Sequence, residues 1–531
     1  MPLSLGRRTW LTAGVVVLSA AGIVTHALDP QPAQPPGHGR ESAVGTVRPA
    51  DRGAAARCTG LPQQGTGRYS AALPARNKHA PKHARAASDY NGDGISDLAA
   101  GTPKASGGAG SVTVVPGSPH GPSAEARLTL TQNSPGGPGS SEPGDHFGAA
   151  TAWGDVNGDG CTDLVVGAPG KDGISGRADR GLVTVLYGPG LDSGFSYTTS
   201  GVPAAGARLG SAVTVGDFNG DGTADVFAAG TGNGGTWNVR LTGGSTRNLR
   251  PAAGVTTSGT LTGATGPVAQ LDATSGDFNR DGFADVALNY RDTGGTGRVV
   301  WFAGSASGLT RAGILAVRGG RSVAAGDFSG NGYDDLVIGQ PYASESGGRT
   351  GGQITVVPGT AAGLAGSGAK VIHQDGVGVA STDRPGDAFG ASVSTGDYNA
   401  DGYADALVGA PGEDLTSDGV KRTDAGQATL FQGSASGLTT SGSFTLNQDT
   451  PGILDSIEKD DHFGSSVSLT DLSGSGHAGL VFGAEGEDAG DGLLLYTPIT
   501  STGFGLAQTV SLRGTALSTP AGARLGEVLA P

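Results

Sequence analysis

From residue 98 onward, short apolar runs alternate with glycine-rich polar stretches. Leu164-Val165-Val166-Gly167-Ala168-Pro169 and Leu336-Val337-Ile338-Gly339-Gln340-Pro341 are of one kind; Ser111–Val115, Leu182–Leu186, Arg298–Phe302 and Gln353–Val357 are of another. Each is rich in β-branched residues, too short for a globular helix, and bounded by Gly, Pro, Asn or Asp, so each predicts a strand. Their order is constant. A lead-in strand precedes a polar loop, a second and a third strand follow, and a turn such as Gly304-Ser305-Ala306-Ser307-Gly308-Leu309, nearly repeated at 433–438, leads to a weaker fourth strand. Four short strands, apolar on both faces and joined by glycine turns, make one blade of a β-propeller.

The polar loop between the first and second strands is a nine-residue acidic repeat. Copies begin at Asp89 (DYNGDGISD), Asp155 (DVNGDGCTD), Asp217 (DFNGDGTAD), Asp277 (DFNRDGFAD), Asp327 (DFSGNGYDD), Asp397 (DYNADGYAD) and Asp471 (DLSGSGHAG), at spacings of 66, 62, 60, 50, 70 and 74 residues. A unit of this size cannot bury its own apolar faces, so seven units must stack. The lead-in strand supports the count. Gly148, Gly210, Gly390 and Gly464 each stand seven residues before the next loop, and degenerate versions precede Asp277 and Asp327. The first loop alone lacks a lead-in, whereas residues 522–530 (GARLGEVLA) form one with no loop behind it. The expectation is an all-β, seven-bladed propeller over 89–531 in which this C-terminal strand completes the first four-stranded antiparallel blade and removes both open edges.

These submotifs carry a resemblance. Phe-Gly, then Asp-x-Asn-Gly-Asp-Gly-x-x-Asp, then Gly-Ala-Pro (Gly167-Ala168-Pro169, Gly409-Ala410-Pro411) resembles the FG-GAP repeat of the integrin α-subunit head. The resemblance implies a seven-bladed propeller with calcium in the loops joining first and second strands, and partners on the opposite face. Copies three and four lack Gly-Ala-Pro, with Ala228-Ala229-Gly230 and Ala287-Leu288-Asn289 in its place. No inserted ligand-binding domain or leg-like sequence is recognised, so integrin signalling does not carry over.

Calcium is a hard cation that takes six to eight oxygens at about 2.3–2.6 Å, which alternating Asp and Asn on a tight loop can supply. The expected ligands are Asp89, Asn91, Asp93 and Asp97 with the Ile95 carbonyl; Asp155, Asn157, Asp159 and Asp163 with that of Cys161; Asp217, Asn219, Asp221 and Asp225 with that of Thr223; Asp277, Asn279, Asp281 and Asp285 with that of Phe283; and Asp397, Asn399, Asp401 and Asp405 with that of Tyr403. A sixth, weaker site has Asp327, Ser329, Asn331, Asp335 and the Tyr333 carbonyl. The seventh loop, with Ser473, Ser475 and Gly479, should be empty. An EF-hand is excluded because position twelve is Ala100, Val166 or Ala228 rather than Glu. Asx-rich turns without metal are the alternative, against which near-identical repetition weighs.

Charge sharpens the picture. The chain carries −14 overall, but residues 1–88 hold eleven basic against three acidic side chains, leaving −22 on the remainder. Such a body would repel nucleic acid and attract cations. At the N-terminus, Arg7 and Arg8 precede a mostly apolar run to Val24 and small residues to Ala27, which reads as an export signal over 1–27. Gly6-Arg7-Arg8-Thr9-Trp10-Leu11 resembles a twin-arginine motif. Residues 28–88, rich in Pro, Gly, Ala and Arg, read as a disordered tether. A secreted or envelope-associated bacterial protein is expected, exported by the Sec or twin-arginine route and monomeric. Cys58 and Cys161, the two cysteines, are candidates for a disulfide in an oxidising compartment.

Long insertions fall on the connections opposite the acidic loops, at 132–145, 170–180, 342–351, 374–387, 412–426 and 448–461. Loops held by a rigid scaffold carry function, which favours a binding or adhesion module for a protein or glycan. A hydrolase-associated propeller and a passive calcium-stabilised scaffold are the alternatives. No catalytic residues are assigned: there is no Gly-x-Ser-x-Gly elbow, Pro81 denies a helix to His79 and His83, and His146 and His462 read as loop packing.

Overall fold

The computed structural model describes residues 88–137, 139–173, 177–198, 205–243, 256–262, 266–379, 381–453 and 455–530. The expected export signal and nearly all of the tether lie outside them. Ser88, assigned above to the tether, is buried and its carbonyl accepts the Asp97 amide at 3.1 Å.

Seven four-stranded antiparallel sheets follow one another. Blade two is representative: Ala150–Gly154, Asp163–Ala168, Leu182–Leu186 and Gly194–Tyr197 run from the inside outward. In blades three to seven the innermost strands are Leu209–Gly216, Ala269–Gly276, Ser322–Gly326, Ser392–Gly396 and Phe463–Thr470. Blade one is composite. Leu98–Thr102, Ser111–Val115 and Leu128–Leu130 receive their innermost partner from Val528–Leu529, with Ala100 opposite Leu529 and Gly101 opposite Val528. Each innermost strand touches the next in a closed cycle, so the C-terminal strand shuts the ring.

Strand alternation sends one set of side chains to each neighbouring blade. In blade two Leu164, Val166, Leu182 and Leu186 pack toward blade one, while Val165, Val183 and Val185 pack toward blade three. The hydrophobic core is accordingly seven separate clusters, one per seam, each drawing on two adjacent blades. Blade one's Ala99, Val112 and Val114 face blade two, and its Leu98, Ala100 and Val115 face blade seven.

The repeat's glycines are explained at these seams. Gly148, Gly210, Gly390, Gly464 and Gly526 hold φ between 85° and 93°, a left-handed conformation open to glycine. Their carbonyl oxygens press on the second strand of the preceding blade. A Cβ at Gly101, Gly167, Gly339, Gly409 or Gly483 would stand 2.0–2.2 Å from those oxygens. Phe147, Phe389 and Phe463, just before three of these glycines, are wholly buried in the seams. The proline of Gly-Ala-Pro follows the end of the second strand, at Ala168 and Ala410.

Blade four has Asn289 where the second-strand glycine belongs, and it solves the seam differently. Asn289 is fully buried, its Nδ2 donates to the carbonyls of Gln270 (3.0 Å) and Gly320 (2.8 Å), and its Oδ1 accepts the Gly320 amide at 2.7 Å. Side-chain hydrogen bonds thus replace the glycine contact between blades four and five. Two substitutions test the two solutions. Gly409→Ala should lose about 1–3 kcal/mol through overlap with the Gly464 carbonyl, and Asn289→Gly a similar amount through unpaired polar groups of Gly320. Urea unfolding of each variant checks this; unchanged midpoints would mean the seams are not tight.

Candidate metal loops and the opposite loop face

All seven acidic loops send their fifth- and sixth-position amides to the two oxygens of the first Asp, and loops one and two add further bonds. Asp89 accepts the amides of Gly92 (2.6 Å) and Gly94 (2.8 Å) on its two oxygens, as Asp155 accepts those of Gly158 and Gly160. Asn91 Oδ1 accepts the Asp93 amide, and Asp93 Oδ1 the Ile95 amide, both at 2.9 Å. Asn157, Asn219, Asn279 and Asn399 also donate Nδ2 to the fifth-position Asp at 2.9–3.1 Å. Loop seven keeps the pattern despite its lost acids: Asp471 accepts the amides of Ser475 (3.0 Å) and Gly476 (2.6 Å).

The ninth position is more than a candidate ligand. Asp97 Oδ2 accepts the Tyr90 amide and its Oδ1 the Gly117 amide, both at 3.0 Å, tying the loop to the end of the third strand. Asp163, Asp225, Asp285 and Asp405 make the same two bonds, to Val156 and Gly188, Phe218 and Thr242, Phe278 and Gly304, and Tyr398 and Gly433. Asp335 bonds Gly359 at 2.9 Å.

Loops also bind one another. The carbonyl of each first Asp accepts the eighth-position amide of the next loop: Asp89 from Thr162, Asp155 from Ala224, Asp217 from Ala284, Asp277 from Asp334, Asp327 from Ala404, Asp397 from Ala478, and Asp471 from Ser96, all at 2.8–3.2 Å. The chain of bonds closes on itself. Seventh-position side chains fill the gaps. Phe283 lies against Gly220, Tyr403 against Gly330 and Ile95 against Gly474, while Arg280 sits over Tyr333 with its guanidinium carbon 5.8 Å from the ring centre. Asp334 was not singled out by the sequence: its Oδ2 accepts the Asp277 amide at 2.8 Å, adding a carboxylate beside loop four. Its signal was the doubled Asp334-Asp335 in place of Ala-Asp. Cys161 is buried and disulfide-bonded, and Cys58 lies outside the described residues.

On the opposite face the residues that bounded the long insertions form buried polar anchors. Gln132 Nε2 donates to Asp145 (3.0 Å), Gln374 to Glu413 (2.7 Å) and Gln448 to Glu487 (2.7 Å). Lys171 pairs with Asp145 at 3.1 Å, whereas the corresponding residues in blades six and seven are Glu413 and Glu487. Burial first, and then the neighbouring Asp387 and Asp461, push both glutamates up to about 7. Loop 412–426 carries an added hairpin, Leu415–Ser417 with Val420–Arg422. A cleft of about 660 Å³ opens beside blade seven, lined among others by Glu458, Asp461, His462, Asp488 and Arg524. In blades three and four the corresponding turns between second and third strands are short, 231–235 and 292–296.

The family model for the FG-GAP repeat matches residues 86–115, 147–186, 319–357 and 389–431, and that for the FG-GAP-like repeat matches 217–288. The chain carries FG-GAP repeats over these segments. Integrin alpha-PS2 of Drosophila melanogaster is 32% identical over 150 residues, 27% of this chain and 10% of that protein. Integrin alpha-V of Gallus gallus is 37% identical over 119 residues, 22% of this chain and 10% of that one. Phosphatidylinositol-glycan-specific phospholipase D of Bos taurus is 32% identical over 120 residues, 23% and 14% respectively. The FG-GAP chain thus aligns with about a tenth of each integrin's length. Among the described residues no helix is long and apolar enough to cross a membrane.

Electrostatics of the FG-GAP loops point to a missing positive charge. No ion pair among the described residues reaches a carboxylate of the loops beginning at Asp89, Asp217, Asp277, Asp327 or Asp397. Burial, reinforced by the other acids of the loop and opposed by the backbone amides, pushes Asp97, Asp285 and Asp405 up to about 7, Asp225 to about 8 and Asp335 to about 6, and raises Asp163 well above the carboxylate range. The donor set is all oxygen and suits a hard cation, although no loop brings three carboxylates within 4.8 Å of one another. Because the folded values exceed the unfolded value of about 4, their stabilising effect is complete below pH ~4 and is lost as pH rises through ~7. In chelator the melting temperature should therefore fall between pH 4 and 8, and millimolar calcium should abolish the fall; a metal-free melt that rises over this range would refute the charge reading.

Proposed function

We propose that the propeller is an extracellular binding or adhesion module, stiffened by calcium in up to six acidic loops and engaging a protein or glycan through the opposite face. One observation carries the reading: the two faces are built differently. First-to-second connections are uniform nine-residue loops bonded to their neighbours around the ring. The opposite connections vary in length and hold the 660 Å³ cleft, the added hairpin and exposed apolar side chains at Tyr342 and Val420. Arg321, ion-paired with buried Glu345 at 2.9 Å, stacks on Tyr342 with its guanidinium carbon 4.3 Å from the ring centre. The integrin α relatives support an adhesive role, and the phospholipase D relative keeps a hydrolase-associated propeller as the second reading.

Calcium would be held by the first, third, fifth and ninth side chains and the seventh carbonyl of each loop, and would supply the charge that the buried Asp carboxylates lack. Sites of ~0.1–1 mM affinity at ~1 mM calcium contribute roughly 0.4–1.4 kcal/mol each. Five or six together rival the stability of a typical domain.

Two outcomes are expected. Metal analysis after dialysis against calcium should find five or six ions, with a lower melting temperature in chelator; no bound ion and an unchanged melt would leave the loops as Asx turns. Tyr342→Asp combined with Val420→Asp should reduce calcium-dependent retention on protein and glycan arrays while leaving the melt unchanged. Retention identical to the parent would remove this face from the binding reading.

A further inference from the structure

A different donor set lies away from the acidic loops. His373 follows the outer strand of blade five, Lys370–Ile372, and Asp375 and Asp383 lie in the connection to blade six. One ligand atom from each lies within 4.8 Å of the other two, and among the described residues no other trio of His, Cys, Asp or Glu does so. Two of the polar atoms here have nothing to bind. His373 Nδ1 and Asp383 Oδ1 are shielded from solvent and reach no hydrogen-bond partner. The Asp383 side chain retains only 9% of its exposure. A buried nitrogen and a buried carboxylate oxygen left unmatched are costly, and each demands an explanation.

The surrounding backbone holds the trio in place. The Asp383 amide donates to Asp375 Oδ1 at 3.0 Å, and the Gly376 amide to the His373 carbonyl at 2.9 Å. Gly351 makes room for the carboxylate, since a Cβ there would lie 1.8 Å from Asp383 Oδ1. Arg349 pairs with Asp383 through Oδ2, so its charge does not satisfy Oδ1.

We propose that His373, Asp375 and Asp383 form a site for a divalent transition-metal ion of the zinc class. An imidazole nitrogen with two carboxylates is a borderline donor set, suited to zinc and unlike the all-oxygen set that calcium takes. Three protein ligands leave a fourth position for water. The site is independent of calcium in the acidic loops and lies in the connection between blades five and six, residues 373–391.

The test uses the full chain in millimolar calcium, so that the acidic loops are occupied, with zinc measured by calorimetry and by metal analysis after dialysis. One zinc per chain is expected, and it should be lost in Asp383→Asn and in His373→Gln. Arg349→Met, which removes the competing cation, should bind zinc more tightly than the parent, a change that a purely structural role for the trio would not produce. Melting in calcium without zinc separates folding from ligation. Loss of zinc from H373Q with an unchanged melt supports the site; no zinc on the parent, or equal zinc on H373Q, overturns it.

Discussion

The close approach of backbone to backbone at each seam is the constraint on which the rest of the molecule depends. A carbonyl from one blade sits where a side chain would otherwise start on the preceding blade, as at Gly148 over Gly101 and Gly464 over Gly409. That contact fixes how far apart blades stand. The separation in turn determines which apolar residues mesh, and why the core consists of seam clusters rather than one central mass. Asn289 shows that the spacing, not the glycine, is what must be preserved, because it restores the join with two hydrogen bonds to Gly320.

Once the blades stand at that spacing, neighbouring acidic loops fall within hydrogen-bonding reach, and the seven carbonyl-to-amide bonds close a circuit. Loop seven belongs to this circuit although its acids are gone: Asp471 still accepts from its own loop and its carbonyl still holds Ser96. Sequence degeneracy at that copy has removed charge while leaving mechanical continuity. The ninth-position Asp joins the two roles, since both oxygens of Asp97 or Asp405 clamp backbone while no basic side chain among the described residues pairs with the carboxylate.

Much of the fold was legible because it is written in repetition. Seven acidic loops gave seven blades, and the stranded lead-in at 522–530 gave ring closure, observed as Val528–Leu529 beside Leu98–Thr102. The seam partner of each glycine was not legible, since residues 43–55 positions apart are brought together only by blade stacking. Asn289 looked like a defect in Gly-Ala-Pro and proved to be a substitute. The buried anchors of the opposite face were visible as the recurring Gln and Asp that bounded the long loops, but their acceptors, Glu413 and Glu487, come from other connections. His373, Asp375 and Asp383 were missed because isolated His and Asp residues on a long loop carry no spacing signal.

Closure by Val528–Leu529 has a consequence for how the chain is made. Until residues 526–530 leave the ribosome, Leu98–Thr102 has no inner neighbour and the seam between blades seven and one has no carbonyl from Gly526 to set it. A nascent chain with its other blades formed still displays two unpaired strand margins, and such margins recruit strands from other molecules. Synthesis and assembly are thereby coupled at the closing strand, and the interval most exposed to aggregation is the one just before that strand arrives.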